Sequence, residues 1–368
     1  MRVIFAGGGT GGHLYPGLAI ARALVKLDAR VEPFFVGAER GIERQVLPGA
    51  EFPYALLNLH PLYRRTPWNN WRTLVGAYSA WRRIAALVAQ QRPGLVVGTG
   101  GYASGLMLEF ARWHRIPMVQ QVGDSFPGLT ARRYAPFCRE IYLTFPEAAH
   151  ILRVRDRQRL IDTGAPIAPP PDVLPPRAAA REAWGFPRDT THVVLVYGGS
   201  QGARALNRAA AEWIAGGLAP GMGLIWMTGQ ATFQEFSQYE GERVRVRAYL
   251  SPIADAYAAA DLAVARAGSM TTSELLAWHI PSILVPLPTA AADHQSTNAM
   301  ALERAGAALH LPQRELTGVR LGTLVASLLT DPERLRALGE GAARRARPDA
   351  AENIARRILA LVGDRAEP

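Results

Sequence analysis

Residues 262–288 read LAVARAGSMTTSELLAWHIPSILVPLP, and the alternation inside that stretch decides the fold. A short apolar run ends at Ala267, Gly268 and Ser269. Met270, Thr271 and Thr272 then open a helix with Glu274 in or near its first turn, and SILVPLP (282–288) is apolar again. A parallel strand is buried on both faces, so it reads as a continuous apolar run and not as an alternating one. Run, glycine, helix and second run together describe a βαβ unit.

The same unit recurs on either side. Upstream lie HVVLVYGGSQG (192–202), GLIWMTG (223–229) and VRVRAYL (244–250). Further back lie VIFAG (3–7), VEPFFVG (31–37), LVVGTGG (95–101) and PMVQQV (117–122), with Leu18, Ala21, Leu24 and Val25 at helical spacing after the first run. The sequence therefore predicts an α/β protein with two similar doubly wound halves. Between them, residues 164–187 include PIAPPPDVLPP, which predicts a linker without regular structure. The expected division is 1–163, linker 164–187, 188–348, and a helical tail over 349–368 (Asn353 to Val362) that packs back toward the first half.

A chain of 368 residues exceeds one ordinary core, in agreement with two domains. Its 49% hydrophobic and 20% charged residues exclude a disordered chain. No run approaches the roughly 20 apolar residues that span a bilayer. MRVIFAGGGTGGH lacks the apolar core and cleavage site of a signal peptide, so a cytoplasmic location is expected. The single cysteine, Cys138, excludes an internal disulfide or a multi-cysteine metal site and reads as a buried small residue. The formal net charge is +10, carried almost wholly by arginine since Lys26 is the one lysine, and it favours anionic partners.

Three glycine clusters stand at strand ends: GGGTGGH (7–13), GTGGYASG (98–105) and GGSQGAR (198–204). Glycine lets backbone amides approach an anion, and the following helix N-terminus adds positive potential. Gly7, Gly9 and Gly12 match the dinucleotide fingerprint G-x-G-x-x-G, with Glu32 at the expected acidic position roughly 20 residues on. The second glycine-loop half weighs against a dehydrogenase, and the lack of G-K-[ST] excludes a P-loop. In the deciding stretch, Gly268 to Thr272 offer amides and hydroxyls to a diphosphate, and a carboxylate at Glu274 can accept the hydroxyls of a ribose. Asp293 and Gln295, in PLPTAAADHQSTNA (286–299), are placed to reach sugar hydroxyls.

Taken in order, GGTGGHLYPGLAIA, GTGGYASG, GGSQGAR-x-LN, RAGSMTTSELLA-x-x-IPSILVPLP and DHQSTNA-x-x-LERAGAA resemble the MurG family of glycosyltransferases, over nearly the whole chain. The resemblance implies a GT-B architecture, two Rossmann-like domains facing a cleft. It implies transfer of N-acetylglucosamine from UDP-GlcNAc to the C4 hydroxyl of the lipid-linked muramoyl-peptide, lipid I, in peptidoglycan synthesis, and hence a part in cell-wall biogenesis, cell shape and division. By motif, Ser200, Gln201, Gly268, Ser269, Met270 and Thr271 fall on the donor diphosphate side, with Thr10, Gly11 and Gly12 also on the donor side. Glu274 falls on the ribose, Leu250 on the uracil and Gln295 on the GlcNAc hydroxyls. Gly100, Gly101, Tyr102, Gln121 and Asp124 fall on the acceptor side, and His13 is the candidate general base. The implied reaction is an inverting single displacement, with helix-end amides stabilising the departing diphosphate. No DxD-type motif stands near the donor loops, so neither a metal nor a cofactor is called for.

The sequence departs from the family at its H-E-Q-N segment, whose places hold Gln121, Val122, Gly123 and Asp124. Gln121 cannot titrate and Val122 cannot hydrogen-bond, which leaves Asp124 as the substitute carboxylate and second catalytic candidate. The family's G-N-P-V-R is here Gly164-Ala165-Pro166-Ile167-Ala168, and its D-R-Q-Q is Asp293-His294-Gln295-Ser296. The donor motifs are thus kept and the acceptor side is altered. Rival readings are a GT-B transferase acting on another lipid or small molecule, a UDP-sugar 2-epimerase, and a non-catalytic sugar-nucleotide binding paralogue. Nucleic acid is not an expected partner, since the basic residues are dispersed.

Residues 62–85 place Trp71, Leu74, Val75, Tyr78 and Trp81 at helical spacing, among Arg64, Arg65, Arg72, Arg82 and Arg83. Such a stripe suits an anionic bilayer surface, with Trp68 and Trp71 exposed, or the face of a sheet. The first reading implies a peripheral protein on the cytoplasmic face of the cell membrane.

Overall fold

The structure, a computed structural model, describes residues 1–59, 70–199 and 201–363, with the backbone alone over 70–77. The chain divides into two compact units, Met1–Ala168 with Pro348–Pro368, and Pro169–Arg347.

The first unit holds seven strands: β1 (Arg2–Gly7), β2 (Glu32–Ala38), β3 (Tyr54–Leu57), β4 (Leu95–Gly100), β5 (Met118–Val122), β6 (Ile141–Leu143) and β7 (Leu160–Asp162). They form one sheet in the order β3-β2-β1-β4-β5-β6-β7, each pairing parallel to its neighbour. Val3, Ile4, Phe5 and Ala6 are fully buried because helices cover both faces of the sheet. The helix Gly11–Leu27 seals one face with Leu14, Leu18, Ala21 and Leu24, the spacing that marked it in the sequence. The helix Ala350–Gly363 joins the same cluster through Ile354, Ala355 and Ile358, and Arg357 Nε donates to Glu140 at 2.8 Å.

The second unit repeats the plan. Its strands are β8 (His192–Tyr197), β9 (Met222–Met227), β10 (Val244–Arg247), β11 (Leu262–Ala265), β12 (Ser282–Leu284) and β13 (Leu309–His310), in the order β10-β9-β8-β11-β12-β13 and all parallel. Numbered within each unit, both sheets run 3-2-1-4-5-6, with β7 added at the edge of the first, which is the Rossmann-like order. The two doubly wound domains expected from the strand–helix alternation are both present.

Four strands escaped the sequence reading: β3, β6, β7 and β13. At two to four residues each, they are too short to carry a recognisable period. The proline-rich segment also differs from expectation. The proline run ends at Pro176, and Arg177–Ala183 is a helix anchored to its own unit. Arg177 Nη1 and Arg181 Nη2 reach the two oxygens of buried Asp261 at 2.9 and 2.5 Å, and Asp261 also accepts the Val193 amide at 2.7 Å.

The segment that predicted a Trp/Arg stripe is partly described. Trp68, Arg64 and Arg65, and the side chains of Trp71, Arg72, Leu74 and Val75, lie outside the described residues. On the helix Asn70–Gln91, Tyr78 is 70% exposed, whereas Trp81 turns inward, its ring 4.9 Å from that of Phe110. Trp81 therefore belongs to packing and not to a surface stripe. Among the described residues no helix is long and apolar enough to cross a membrane.

Candidate functional site

In the first unit, the register of β1 against β4 shifts between Ala6 and Gly7, so that Gly7 pairs with Gly100 and two glycine loops lie side by side. The Gly8 amide donates to the Gly100 carbonyl at 3.4 Å. Gly101 has φ +75°, and a Cβ there would stand 2.1 Å from the Gly8 carbonyl oxygen, so only glycine serves. His13 packs on this junction: a Cβ on Gly100 would meet its ring at 2.6 Å. Its Nδ1 is 3.1 Å from Thr10 Oγ1, and its carbonyl oxygen accepts from Thr99 Oγ1 at 2.6 Å. Tyr102 borders Gly9, its ring 3.0 Å from where a Cβ would project. Thr10, Gly11, Gly12, His13, Gly100, Gly101 and Tyr102 thus converge on one end of the sheet.

A residue that the sequence reading passed over holds this loop. Glu43 is fully buried, and its carboxylate accepts the Gly9 amide at 2.9 Å and the Ala38 amide at 3.0 Å. A Cβ on Gly8 or Gly41 would fall within 2 Å of its oxygens. The clue lay in Gly37 and Gly41, which leave room for the carboxylate. Gln121, on β5, is only 2% exposed. Its Nε2 donates to Thr144 Oγ1 at 2.9 Å, while its buried Oε1 makes no hydrogen bond among the described residues. Val122 is buried beside it, and Asp124 lies half-buried in the loop beyond.

In the second unit, the loop after β8 leans on the end of β9. Gly202 has φ +76°, and a Cβ on it would lie 2.0 Å from the Thr228 carbonyl oxygen. Buried Asn207 fixes that approach, donating to the Thr228 carbonyl at 2.8 Å and to Thr232 Oγ1 at 3.0 Å while accepting from Trp226 Nε1 at 3.0 Å. Gln201 is exposed at the tip, and Ser200 lies outside the described residues. Leu250 is buried, next to the cis Ser251–Pro252 bond after β10.

After β11 comes the helix Ser269–Ala277, with Gly268 as its N-cap and no side chain capping it. The first intrahelical bond is Thr272 N–H to the Gly268 carbonyl, 2.9 Å, so the amides of Ser269, Met270 and Thr271 stand ahead of the ladder at the positive end of the helix. Thr272 does not add a hydroxyl to that mouth: its Oγ1 donates back to the Gly268 and Ser269 carbonyls, both at 3.1 Å. Glu274 sits in the second turn and not the first, and its Oε2 accepts from Tyr257 OH at 2.8 Å. Burial pushes its carboxyl above the usual range, and the Tyr257 hydrogen bond opposes that rise.

Two further residues secure the loop. Asn298 donates to the Ala267 carbonyl at 3.1 Å from the helix His294–Arg304. Arg266 is buried. Its guanidinium donates to the carbonyls of Val285 and Pro286 at 3.1 and 2.9 Å and to Gln313 Oε1 at 2.7 Å, and burial lowers its pKa to about 10. The next amide along, Leu287 N–H, donates to Gln295 Oε1 at 3.0 Å, which engages the oxygen of that side chain and leaves its amide nitrogen as the donor group. Asp293 has left-handed backbone geometry (φ 54°) and accepts from Ser296 Oγ at 2.6 Å.

Residues 3–143 match the glycosyltransferase family 28 N-terminal domain, and residues 193–354 match the glycosyltransferase family 28 C-terminal domain. The chain is 39% identical to the UDP-N-acetylglucosamine–N-acetylmuramyl-(pentapeptide) pyrophosphoryl-undecaprenol N-acetylglucosamine transferase of Moorella thermoacetica, over 98% of this chain and 99% of that one. It is 38% identical to the enzyme of the same name from Chlorobium luteolum, with the same coverage. Among solved structures, MurG of Acinetobacter baumannii superposes with a TM-score of 0.76 at 24% identity, over 98% of this chain and 99% of that one. A UDP-N-acetylglucosamine 2-epimerase from Listeria monocytogenes reaches 0.71 at 13% identity, over 100% and 98%, which is a likeness of fold.

Proposed function

The chain belongs to glycosyltransferase family 28, in its MurG branch, and from that membership we propose that it transfers N-acetylglucosamine from UDP-GlcNAc to the undecaprenyl-pyrophosphoryl-N-acetylmuramyl-pentapeptide acceptor, lipid I, giving lipid II for peptidoglycan. The observation that carries the reading is the uncapped helix Ser269–Ala277 with Glu274 one turn inside it, on a chain alike to the named transferases from end to end.

In this reading the second unit takes the donor and the first unit takes the acceptor. The Ser269, Met270 and Thr271 amides receive the diphosphate, and Glu274 accepts the ribose hydroxyls. The Gln295 amide donates to the sugar. Attack by the acceptor hydroxyl on the anomeric carbon expels UDP with inversion. Negative charge grows on the leaving diphosphate, where fixed amide dipoles and the buried Arg266 cation stabilise it without reorganising. The proton of the attacking hydroxyl passes to a base on the first unit. His13, held at Nδ1 by Thr10, is that base, with Asp124 as the carboxylate near it in function. The buried Gln121 and Val122 cannot take the proton.

A peripheral position on the cytoplasmic face of the membrane follows from the lipid-linked acceptor. It is supported by exposed aromatic side chains on the first unit: Tyr78, Trp113 and Phe137, the last beneath the Arg112 guanidinium.

The test is UDP release by the purified chain from UDP-GlcNAc, with and without a lipid I analogue in anionic micelles. Acceptor-dependent release supports the reading. UDP-GlcNAc binding without turnover overturns the acceptor, and no binding overturns the donor.

A further inference from the structure

Three side chains of the second unit form one hydrogen-bonded chain. Tyr197 is the last residue of β8, Tyr257 lies on the short helix Ala254–Ala259, and Glu274 lies on Ser269–Ala277. Tyr257 OH stands 2.8 Å from Glu274 Oε2, and the two phenol oxygens stand 3.0 Å apart. An ionised carboxylate only accepts, so the Tyr257 proton points to Glu274 and the Tyr257 oxygen accepts from Tyr197. Each phenol thus has one role and the chain has one direction. The rings are locked by packing: Tyr197 and Tyr257 meet edge-on at 6.3 Å, and Trp278 tilts onto Tyr257 at 5.5 Å. Both tyrosines are buried, so neither hydroxyl is exchanged for water at low energy.

The chain also ties together the elements that the donor must meet. Tyr197 immediately precedes the Gly198–Gly202 loop, and Glu274 rides on the helix that presents the Ser269–Thr271 amides. A glutamate side chain has rotameric freedom, and burial favours its neutral form, which accepts more weakly. A phenol donating to one oxygen counters both tendencies and leaves Oε1 for a ligand. A single carboxylate oxygen has lone pairs for two hydroxyl donors.

We propose that Tyr257 is a positioning residue for nucleoside recognition, with Tyr197 as its support, pinning Glu274 Oε2 so that Oε1 is aimed at the vicinal hydroxyls of the donor's ribose. The proposal rests on the reading of Glu274 as the ribose-binding carboxylate. It assigns the preference for a ribonucleotide to a relay that begins on another strand, not to Glu274 alone.

The experiment measures binding of UDP and of 2′-deoxy-UDP to the full chain by calorimetry, for wild type, Tyr257→Phe and Tyr197→Phe, with thermal melts of each. Hydrogen bonds to charged groups set the scale: the wild type should favour UDP by roughly tenfold or more, and Tyr257→Phe should lose about tenfold for UDP but far less for 2′-deoxy-UDP. The preference then narrows to within about threefold, and Tyr197→Phe falls between the two. A Tyr257→Phe protein that weakens both ligands equally, or neither, overturns the proposal and leaves Tyr257 as packing. If Tyr257→Phe melts below the assay temperature, Tyr197→Phe decides: a narrowed preference supports the relay and an unchanged one overturns it. A wild type that binds UDP without preferring it over the deoxy form overturns the role of Glu274. A wild type that binds no UDP overturns the functional reading beneath it.

Discussion

The Glu43 carboxylate accepts the Gly9 amide at 2.9 Å, so the glycine loop after β1 is held from behind by a buried side chain. Replacing one carboxylate oxygen by an amide sets a donor against a donor. Glu43→Gln should therefore destabilise the chain by about 1–3 kcal/mol, the scale of an unmet buried hydrogen bond. In a domain of this size that lowers the melting temperature by several degrees, as calorimetry would register. An unchanged melt would mean that the carboxylate is not needed.

Among the described residues Arg266 donates to carbonyl oxygens and to Gln313, and to no carboxylate. On the proposed reading a diphosphate at the adjoining loop supplies the missing negative charge, and uridine does not. Arg266→Gln should weaken UDP by roughly tenfold, as loss of a charge-assisted contribution does, and leave uridine affinity nearly unchanged. Equal losses for both ligands in a binding titration would reduce Arg266 to a brace.

Burial raises the Glu274 carboxyl above the ordinary carboxylate range, and that fixes the sign of a pH effect. If Glu274 holds the ribose as proposed, recognition needs the ionised form, so UDP affinity should fall as pH drops through the raised value, earlier than an exposed glutamate would dictate. Stability runs the other way. The folded chain holds this proton more tightly than the unfolded one, so this group favours folding most in acid and loses that contribution as pH rises past its unfolded value. Titrating Kd for UDP against pH in wild type and Glu274→Gln separates the two, since the variant lacks this acid limb.

Cys138 is fully buried, accepts from Gln120 Nε2 at 3.0 Å, and has its thiol pushed up to about 12 by burial. The thiolate is the reactive species, so native protein should resist a thiol reagent that labels the denatured chain completely. Rapid native labelling, followed by mass spectrometry, would contradict the burial.

Asp261 gathers Arg177, Arg181 and the Val193 amide. Asp261→Asn leaves two guanidiniums without their anion and should loosen the Arg177–Ala183 helix, with a loss of roughly 3 kcal/mol for breaking a buried pair. Limited proteolysis would then cut near residues 169–183 faster than in wild type.

Much of this was legible in the sequence because its signals are local. Buried parallel strands such as VIFAG and HVVLVY, glycine loops and a helix start after Gly268 each declare themselves within a dozen residues. The residues that tension those loops do not. Glu43 meets Gly9, Arg266 meets Pro286 and Gln313, and Asn298 meets Ala267, all partners that only tertiary folding brings together. Tyr257 was hidden in the same way, as one aromatic among alanines in ADAYAAAD. Trp81 stayed open in the sequence because its stripe satisfied two templates at once, and the ring of Phe110 decides for packing.

The return of Ile354 and Ile358 to the core built by Val3, Phe5 and Leu24 has a consequence for the order of events on the ribosome. Residues 350–363 emerge only after every residue of the second unit has been made. The half synthesised first must wait, with part of its apolar surface uncovered, while the half synthesised later can complete its core from contiguous chain. The first unit is therefore the last to be completed, and a released chain cut before residue 350 holds the whole second unit but a first-unit core without Ile354 and Ile358.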